Sequence, residues 1–279
     1  MSAETTKDIL PGIGLALGGG VVYSIAGIGV YRALAEAHLP IVAISGTSGG
    51  AIVGSAIAAG LPGWELKQVA EGIRWSDLVR FTPDRMGFLN GSPIGRFVES
   101  VCECTLIEDL KMPFTAVATD IITGEEVRLD HGPLGLSVQA SCSIPGLFQP
   151  VPMGDRLLVD GGVVDYLPVD AVRMYRPAVT LAVDVLTKSE EFTGRIRNGA
   201  FVVLKAYHIM VKRIGEETEK EADIILSPDV SGCSVMNFRN SGELIERGER
   251  AGREIVPRLK ELLDERLRKP DGSAAWELL

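Results

Sequence analysis

The sequence predicts an α/β protein whose central sheet is mostly parallel. Two tandem segments near the amino terminus each combine an uncharged apolar stretch, a glycine-rich turn and a second apolar stretch. We interpret each as a strand, a turn and a helix, which makes successive strands parallel through right-handed crossovers. The composition agrees, because 46% of the 279 residues are hydrophobic, only 6% are aromatic and 32 are glycine. Buried aliphatic strands packed closely against small-residue helices have this composition.

The first elements follow from apolar runs separated by glycine. Residues 13–17 form an aliphatic run that predicts a strand, and the turn Gly18-Gly19-Gly20 separates it from a helix over 23–37. Residues 41–45 form a second, β-branched run, after which Gly46-Thr47-Ser48-Gly49-Gly50 opens a small-residue helix that ends near residue 59. Residues 64–103 are more polar and contain turn residues, so we expect a helical excursion there.

The later elements alternate between short strands and helices. Residues 114–120 and 125–129 predict two strands, and Thr123-Gly124 between them predicts a hairpin. Ile144-Pro145-Gly146 ends a predicted helix over 134–143. The remaining predictions are, in order, strands over 156–159 and 179–185, a helix over 201–214, a strand over 222–226, and a helix over 242–269 with a kink at Pro257.

A single domain over residues 10–270 accounts for this pattern. Neither an internal repeat nor a low-complexity linker interrupts the sequence, and a chain of this length buries a sizeable core. The motifs described below occupy residues 12–186. Residues 242–269 are expected to form a helical carboxyl-terminal tail.

Charge and motif spacing exclude several function classes. The formal net charge is −9 and no basic stripe is visible, so we expect no nucleic-acid partner. No glycine motif has the spacing of a dinucleotide or P-loop site. The cysteines also lack zinc-site spacing, so we expect free thiols, no metal and no cofactor. They are Cys102, Cys104, Cys142 and Cys233.

Two long uncharged stretches raise the alternative of a membrane span. Residues 9–31 and 37–64 carry no charge, and about 20 apolar residues suffice to cross a bilayer. Repeated glycines in both stretches would leave backbone groups unpaired in a lipid-exposed helix, so we interpret them as buried strands and helices. Residues 1–8 show no secretory signal pattern. We therefore expect a cytoplasmic protein that makes transient contact with a membrane surface.

One pentapeptide matches the nucleophile-elbow pattern G-x-S-x-G, namely Gly46-Thr47-Ser48-Gly49-Gly50. An elbow places its serine on a sharp strand-to-helix turn, and small neighbours such as Gly46 and Gly50 let the chain fold back there. The helix amino terminus behind the serine favours a developing negative charge. Ser48 is therefore the candidate nucleophile, and exposed amides of the glycine turn at 18–20 are a candidate oxyanion hole.

The general base is harder to assign, because a serine nucleophile usually pairs with a histidine. None of His38, His131 and His208 combines a suitable position with the expected order, although His208 follows the serine in the chain. Asp160 fits better, since it ends a short apolar strand and Gly161-Gly162 clear space beside its carboxylate. The alternative for Asp160 is an ordinary Asp-Gly turn.

Four blocks, in this order, resemble the patatin-like phospholipases of bacterial type. They are the glycine turn with the following 28–30 and 32–34, the elbow at 46–50, residues 140–148, and Asp160-Gly161-Gly162. The resemblance covers about residues 12–186. It implies a three-layer α/β/α fold and a metal-free Ser–Asp dyad. In that dyad Ser48 is the nucleophile and Asp160 the base, with an oxyanion hole made by the backbone N–H groups of Gly18, Gly19 and Gly20.

The resemblance also implies a function, with one departure from the family pattern. The family continues its glycine turn with a basic residue and another glycine, whereas Val21-Val22-Tyr23 stand here. The implied activity is a serine acyl-ester hydrolase acting on lipid esters, of the phospholipase A or lysophospholipase type. A general carboxylesterase or thioesterase, and an adaptor of the same fold with little or no catalysis, are the alternatives. Residues 64–97 and 201–214 either line an acyl pocket or pack in the core.

Overall fold

The computed structural model describes residues 9–82, 86–187, 199–218 and 222–267. Its strands are β1 (Leu10–Leu17), β2 (Ile41–Thr47), β3 (Arg80–Phe81), β4 (Leu89–Asn90), β5 (Phe114–Asp120), β6 (Glu126–Leu129), β7 (Val151–Met153), β8 (Arg156–Asp160), β9 (Pro177–Val183) and β10 (Ile224–Leu226). Its α-helices are α1 (Ala26–Glu36), α2 (Gly49–Ala58), α3 (Gly63–Gly72), α4 (Trp75–Leu78), α5 (Ser92–Cys102), α6 (Leu134–Ser141), α7 (Val169–Arg173), α8 (Gly199–Thr218) and α9 (Ser241–Leu267).

The central sheet is mixed but mostly parallel, which confirms the predicted class. Its order is β10-β9-β1-β2-β5-β8-β7, with β6 also paired to β5. The five strands from β10 to β5 pair in parallel, and β6, β7 and β8 pair antiparallel. Thr123-Gly124 connects β5 to β6 as the predicted hairpin. The parallel part is buried, as expected for strands covered by helices on both faces.

The pairing of β5 brings the ends of two other strands together. Ala116 and Val117 pair with both β2 and β6, so β2 and β6 lie on opposite edges of β5. Ala118 and Thr119 pair with both β6 and β8, so β8 lies on the same edge as β2. The carboxyl end of β2 therefore meets the carboxyl end of β8 along one edge of β5.

Side chains on the two faces of the sheet enter two separate cores, which makes the fold three-layered. On β1, Ile13, Leu15 and Leu17 enter the larger core, which also includes residues of α1, α2, α5, α6 and α9. Ala16 between them enters the smaller core, with Val169 and Val172 around α7 and Val211 of α8. The alternation follows from the two-residue period of a strand.

Most predicted elements are present, with bounds that differ by a few residues. The predicted helix over 23–37 begins as a 3-10 turn, Val21–Ile25, and continues as α1. The helical excursion contains α3, α4 and α5, together with the short antiparallel pair of β3 and β4. The sequence did not predict β7 or α7. The predicted helix at the carboxyl terminus is α9, which runs through Pro257.

Helix α9 packs directly on α1 through glycines. A Cβ atom at Gly29 would lie 1.9 Å from the carbonyl oxygen of Ile245, and one at Gly248 would lie 2.0 Å from that of Ala26. A Cβ at Gly252 would lie 2.7 Å from the Ala33 Cβ. The two helices therefore approach to backbone contact, and α9 is an integral part of the larger core. No helix among the described residues is both long and apolar enough to cross a membrane.

We expect Gly248→Ala to lower the free energy of unfolding by about 1–3 kcal/mol, because the added methyl must separate two packed helices. Gly72→Ala is the matched control, since a Cβ there meets no atom within 4 Å and α3 ends at that residue. Urea denaturation measures both variants. Equal stability of the two variants would contradict the close α1–α9 contact.

Candidate active site

Ser48 lies at the sharp turn between β2 and α2. Its backbone has φ +55° and ψ −125°, a left-handed conformation that is strained for a residue with a side chain. The glycines of the elbow make the turn sterically feasible. A Cβ at Gly46 would lie 2.4 Å from the Gly50 carbonyl oxygen, and a Cβ at Gly50 would lie 2.2 Å from that of Leu17.

The elbow is also held by a buried hydrogen-bond relay. The Ser48 N–H donates to the Ser141 hydroxyl oxygen at 2.9 Å, and the Ser141 hydroxyl donates to the Val117 carbonyl at 2.6 Å. Ser141 thus connects α6 to both the elbow and β5. It belongs to the 140–148 block that carries the family resemblance, but its bonding could not be predicted from the sequence.

Asp160 is the last residue of β8 and is completely buried. Its backbone N–H donates to the Ser143 carbonyl, and its carbonyl accepts from the Thr119 hydroxyl. Because β2 and β8 share one edge of β5, Asp160 and Ser48 face the same cavity, whose volume is about 50 Å³. A Cβ at Gly161 would lie 2.3 Å from the Val117 carbonyl oxygen, so this turn also requires glycine.

The two carboxyl oxygens of Asp160 have different surroundings. Oδ1 accepts hydrogen bonds from the Gly162 N–H at 2.9 Å and the Tyr207 hydroxyl at 2.8 Å. Oδ2 is buried and has no hydrogen-bond partner among the described residues. Burial raises the Asp160 pKa to about 6, and the neighbouring Ser48 hydroxyl, Gly162 N–H and Tyr207 hydroxyl oppose that rise. The Ser48 hydroxyl is therefore close enough to Asp160 to lower its pKa, which favours the ionised form. Its geometry does not amount to a hydrogen bond to Oδ2.

The glycine turn at 18–20 also borders this small cavity, but its amides are not equivalent. The Gly18 N–H donates to the Val183 carbonyl at 3.0 Å, and the Gly19 N–H donates to the Tyr166 carbonyl at 3.2 Å. Within the described part of the chain, the N–H groups of Gly20 and Val21 make no hydrogen bond. The N–H groups of Gly18 and Gly19, which were predicted as oxyanion donors, are therefore occupied, whereas those of Gly20 and Val21 have no partner among the described residues.

Val21 occupies the position where the sequence departs from the family pattern, and its backbone is strained. Its φ is +53°, which is exceptional for a β-branched residue. Val21 borders both the small cavity and a larger apolar cavity described below. The departure therefore falls at the boundary between these two spaces.

A buried tyrosine anchors the glycine turn from the other side. The Tyr166 hydroxyl donates to Asp184 Oδ1 at 2.7 Å and accepts from the N–H groups of Val185 and Leu186. Its ring lies against Gly18, where a Cβ would be 3.0 Å from the ring. Burial, together with the charge of Asp184, raises the Tyr166 pKa, so the hydroxyl stays protonated.

The three histidines differ in their relation to the site. His38 is exposed at the end of α1, and His131 is exposed and paired with Asp130 at 2.6 Å. Neither borders a cavity that contains Ser48. His208, on α8, is half-buried and lines the small cavity beside Asp160.

A second cavity of about 550 Å³ opens beside Ser48 and is almost wholly apolar. It extends along α2, since Ser48, Ile52 and Ala56 on successive turns all line it. Residues from both of the stretches considered as acyl-pocket candidates also line this cavity, including Leu66, Ile73, Leu78, Phe97 and Leu204. Apolar side chains from the described part of residues 64–97 thus border a space instead of only filling the core.

The remaining chemistry on the described residues is limited. All four cysteines are free, and Cys142 is buried beside Asp160 with a pKa raised by burial and by the Asp160 charge. Among the described residues, no cluster of three or more metal-ligating side chains is present. Sequence reasoning missed Ser141, Tyr166 and Tyr207, because their hydrogen bonds join segments that are distant along the chain.

Comparison with known proteins identifies a family and several relatives of this chain. The family described as Patatin-like phospholipase matches residues 15–173, which is more than half of the chain. An uncharacterised NTE family protein of Mycobacterium bovis is 30% identical over 266 residues, covering 86% of this chain and 46% of its own length. Patatin-like phospholipase domain-containing protein 7 of Mus musculus is 34% identical over 276 residues, covering 87% of this chain and 20% of its own length.

A solved structure shares the fold. VipD from Legionella pneumophila superposes with a TM-score of 0.56 at 14% sequence identity, over 91% of this chain and 67% of that one. At such low identity the match concerns the fold alone.

The chain belongs to the patatin-like phospholipase family. It spans less than half the length of the curated relatives described here.

Proposed function

We propose that this protein is a serine hydrolase of lipid esters that uses Ser48 and Asp160 as a catalytic dyad. One observation supports the proposal above the others: a strained serine shares a small cavity with a buried carboxyl group and also lines a large apolar cavity. The strained turn places the serine on the lining of both cavities, and the raised pKa of Asp160 makes its carboxylate a stronger base than an exposed one. Lipid acyl chains need an apolar cavity of this kind.

The proposed reaction proceeds through an acyl-enzyme. Ser48 Oγ attacks the ester carbonyl carbon while its proton passes to Asp160 Oδ2, the oxygen without a partner among the described residues. The Gly20 and Val21 amides, with the amino terminus of α2, stabilise the tetrahedral oxyanion. The intermediate collapses, and the leaving alcohol takes the proton from Asp160. Water then attacks the acyl-enzyme, gives a proton to Asp160, and the acid leaves as Ser48 recovers its proton.

Two alternatives make different predictions from the same site. A carboxylesterase or thioesterase would use the same dyad but prefer short or thioester substrates. The long apolar cavity beside Ser48 favours lipid esters over short ones. An adaptor without catalysis would retain the fold, and the strained Val21 next to the open amides is the feature that supports this alternative.

We expect wild-type protein to react with a fluorophosphonate probe and Ser48→Ala to remain unlabelled. Asp160→Asn should slow labelling and ester turnover by about 10²–10⁴-fold, because it removes the general base. The wild-type rate should fall as the pH decreases through about 6, since the carboxylate must be ionised to accept the proton.

Matched controls separate chemistry from folding in this experiment. Ser137→Ala removes a hydroxyl on α6 whose partner among the described residues is the Pro133 carbonyl, and Asp120→Asn alters a different buried aspartate. Both should still be labelled. Labelling of Ser48→Ala would reject the nucleophile, full turnover by Asp160→Asn would reject the base, and a folded wild type without labelling would favour the adaptor.

The depth of the apolar cavity predicts a preference for long acyl chains. Ala56 lines the cavity eight positions after Ser48, and at ~1.5 Å per residue this corresponds to about 12 Å along α2. Ala56→Phe should block the distal part of the cavity. We expect the ratio of kcat/KM for palmitoyl over butyryl esters to fall by at least ~10-fold, because several methylene groups lose their contacts.

The butyryl ester serves as the internal control for this variant, and Ala56→Val should produce a smaller effect in the same direction. An unchanged ratio for Ala56→Phe, with intact thermal unfolding, would show that the acyl chain binds elsewhere.

We further propose that an apolar rim beside the cavity inserts into a lipid surface. Phe81, Met86 and Phe88 are 74%, 57% and 53% exposed, and they flank Leu89, which lines the cavity. Phe88 bonds Leu147 through its backbone, and Gly146 next to it faces exposed Val203 of α8. Large apolar patches of this kind mark interaction surfaces. The net charge of −9 favours insertion into neutral over anionic lipid.

Flotation with phosphatidylcholine vesicles tests the rim. We expect Phe81→Ser combined with Phe88→Ser to reduce the bound fraction several-fold, because two aromatic side chains no longer leave water. Ile122→Ser is the control, since Ile122 is equally exposed (73%) but lies in the β5–β6 turn. Equal binding by the two variants would reject the rim as the lipid contact.

A further inference from the structure

Tyr207 makes a partly buried contact with the proposed base that the dyad alone does not explain. Its hydroxyl donates to Asp160 Oδ1 at 2.8 Å, across 47 residues of sequence. The same oxygen accepts the Gly162 N–H at 2.9 Å. Both donors therefore hold one oxygen of the carboxyl group, while the other oxygen has no partner among the described residues.

The turn after β8 is shaped to admit the tyrosine. A Cβ at Gly162 would lie 2.4 Å from the Tyr207 hydroxyl oxygen, closer than real Cβ contacts. Tyr207 lies on α8, which borders the small cavity with Leu204, His208 and Val211. The glycine at 162 thus makes room for the phenol as well as donating its own N–H to Asp160.

We infer that Tyr207 is a positioning residue that fixes the rotation of the Asp160 carboxyl group and leaves Oδ2 directed to the Ser48 proton. This inference rests on the proposed dyad and adds to it a residue from α8 that positions the base. Two donors on Oδ1 oppose rotation of the carboxyl plane, so the same oxygen faces the nucleophile in each turnover. A hydroxyl donor also stabilises the ionised carboxylate of a buried residue.

Tyr207 acts here only as a donor. Burial and the charge of Asp160 raise its pKa, so the phenol remains protonated while Asp160 is ionised. Among the described residues, the other titratable groups that line the small cavity or act on Asp160 are His208 on α8, Tyr166 after β8 and the Cys142 thiol after α6. The thiol and Tyr166 also have raised pKa values, which keep both neutral.

Tyr207→Phe tests the inference through the rate of Ser48 labelling by a fluorophosphonate as a function of pH. Loss of the donor destabilises the ionised carboxylate. The acidic limb of the curve of labelling rate against pH should therefore move to higher pH by about one unit. On the alkaline plateau, where Asp160 is ionised in both proteins, the rate should remain ~10-fold below wild type because the carboxyl group rotates more freely. With an ester substrate, the loss should appear in kcat and leave KM within about twofold.

Tyr175→Phe is the matched control, because it also removes a partly buried tyrosine hydroxyl, one that bonds Thr115 and Phe114 at the other end of β5. His208→Gln, measured in parallel, identifies any part of the acidic limb that belongs to the neighbouring histidine. An unshifted limb and an unchanged plateau in folded Tyr207→Phe would overturn the inference, as would an equal loss in Tyr175→Phe. Absence of wild-type labelling would instead reject the proposed dyad itself.

Gly162→Ala provides a second, independent test. In the wild-type background the new methyl displaces the Tyr207 hydroxyl, so labelling should fall by at least ~10-fold. In the Tyr207→Phe background the displaced hydroxyl is absent, so the fold-loss in labelling rate caused by Gly162→Ala should be at least ~3-fold smaller. Such non-additivity is expected for residues in contact. Strictly additive losses would show that the glycine and the tyrosine act separately.

Discussion

Backbone contact closer than any side chain allows is the constraint on which the site depends. The β2–α2 elbow folds back on itself at Gly46 and presses on the end of β1 at Gly50, where a Cβ would lie 2.2 Å from the Leu17 carbonyl oxygen. This contact holds Ser48 in a left-handed conformation that an isolated chain would leave. The surrounding core and the Ser141 relay offset that strain. The same use of glycine recurs between α1 and α9, where it seats the last described helix against the core.

The electrostatic character of the site follows from placing a carboxyl group inside this packed region. Asp160 is fully buried, and burial alone would favour its neutral form. The donors that oppose the effect of burial on the Asp160 pKa come from the turn after β8, the elbow and α8. Both hydrogen bonds, from the Gly162 N–H and the Tyr207 hydroxyl, fall on Oδ1, and Oδ2 has no partner among the described residues. The apolar cavity beside Ser48 lowers the polarity on one side of the elbow, and the small cavity shared with Asp160 lies on the other.

Much of the fold could be predicted because its signals are local. The bounds of β5 were predicted as found, and the glycine turns separated strands from helices correctly around β1 and β2. The three-residue β7 and the five-residue α7 were missed, because such short elements lack a periodic pattern. Ser48 and Asp160 were singled out from motifs, and the structure brings both to one cavity. Tyr207 had no such signal, since an aromatic residue in an apolar helix is ordinarily a core residue.

The sequence by itself determined the α/β class, the strand–turn–helix units, the positions that only glycine tolerates and, through its motifs, the family. These features depend on short-range sterics and on the periodicity of apolar residues, and both are properties of short stretches of sequence. Only the tertiary structure decided which glycine-turn amides are occupied and which Asp160 oxygen is held. It also decided that α8 supplies a tyrosine to the carboxyl group and that apolar side chains from the described part of residues 64–97 border a cavity. Those outcomes depend on hydrogen bonds and packing between segments far apart in sequence, which no local pattern encodes.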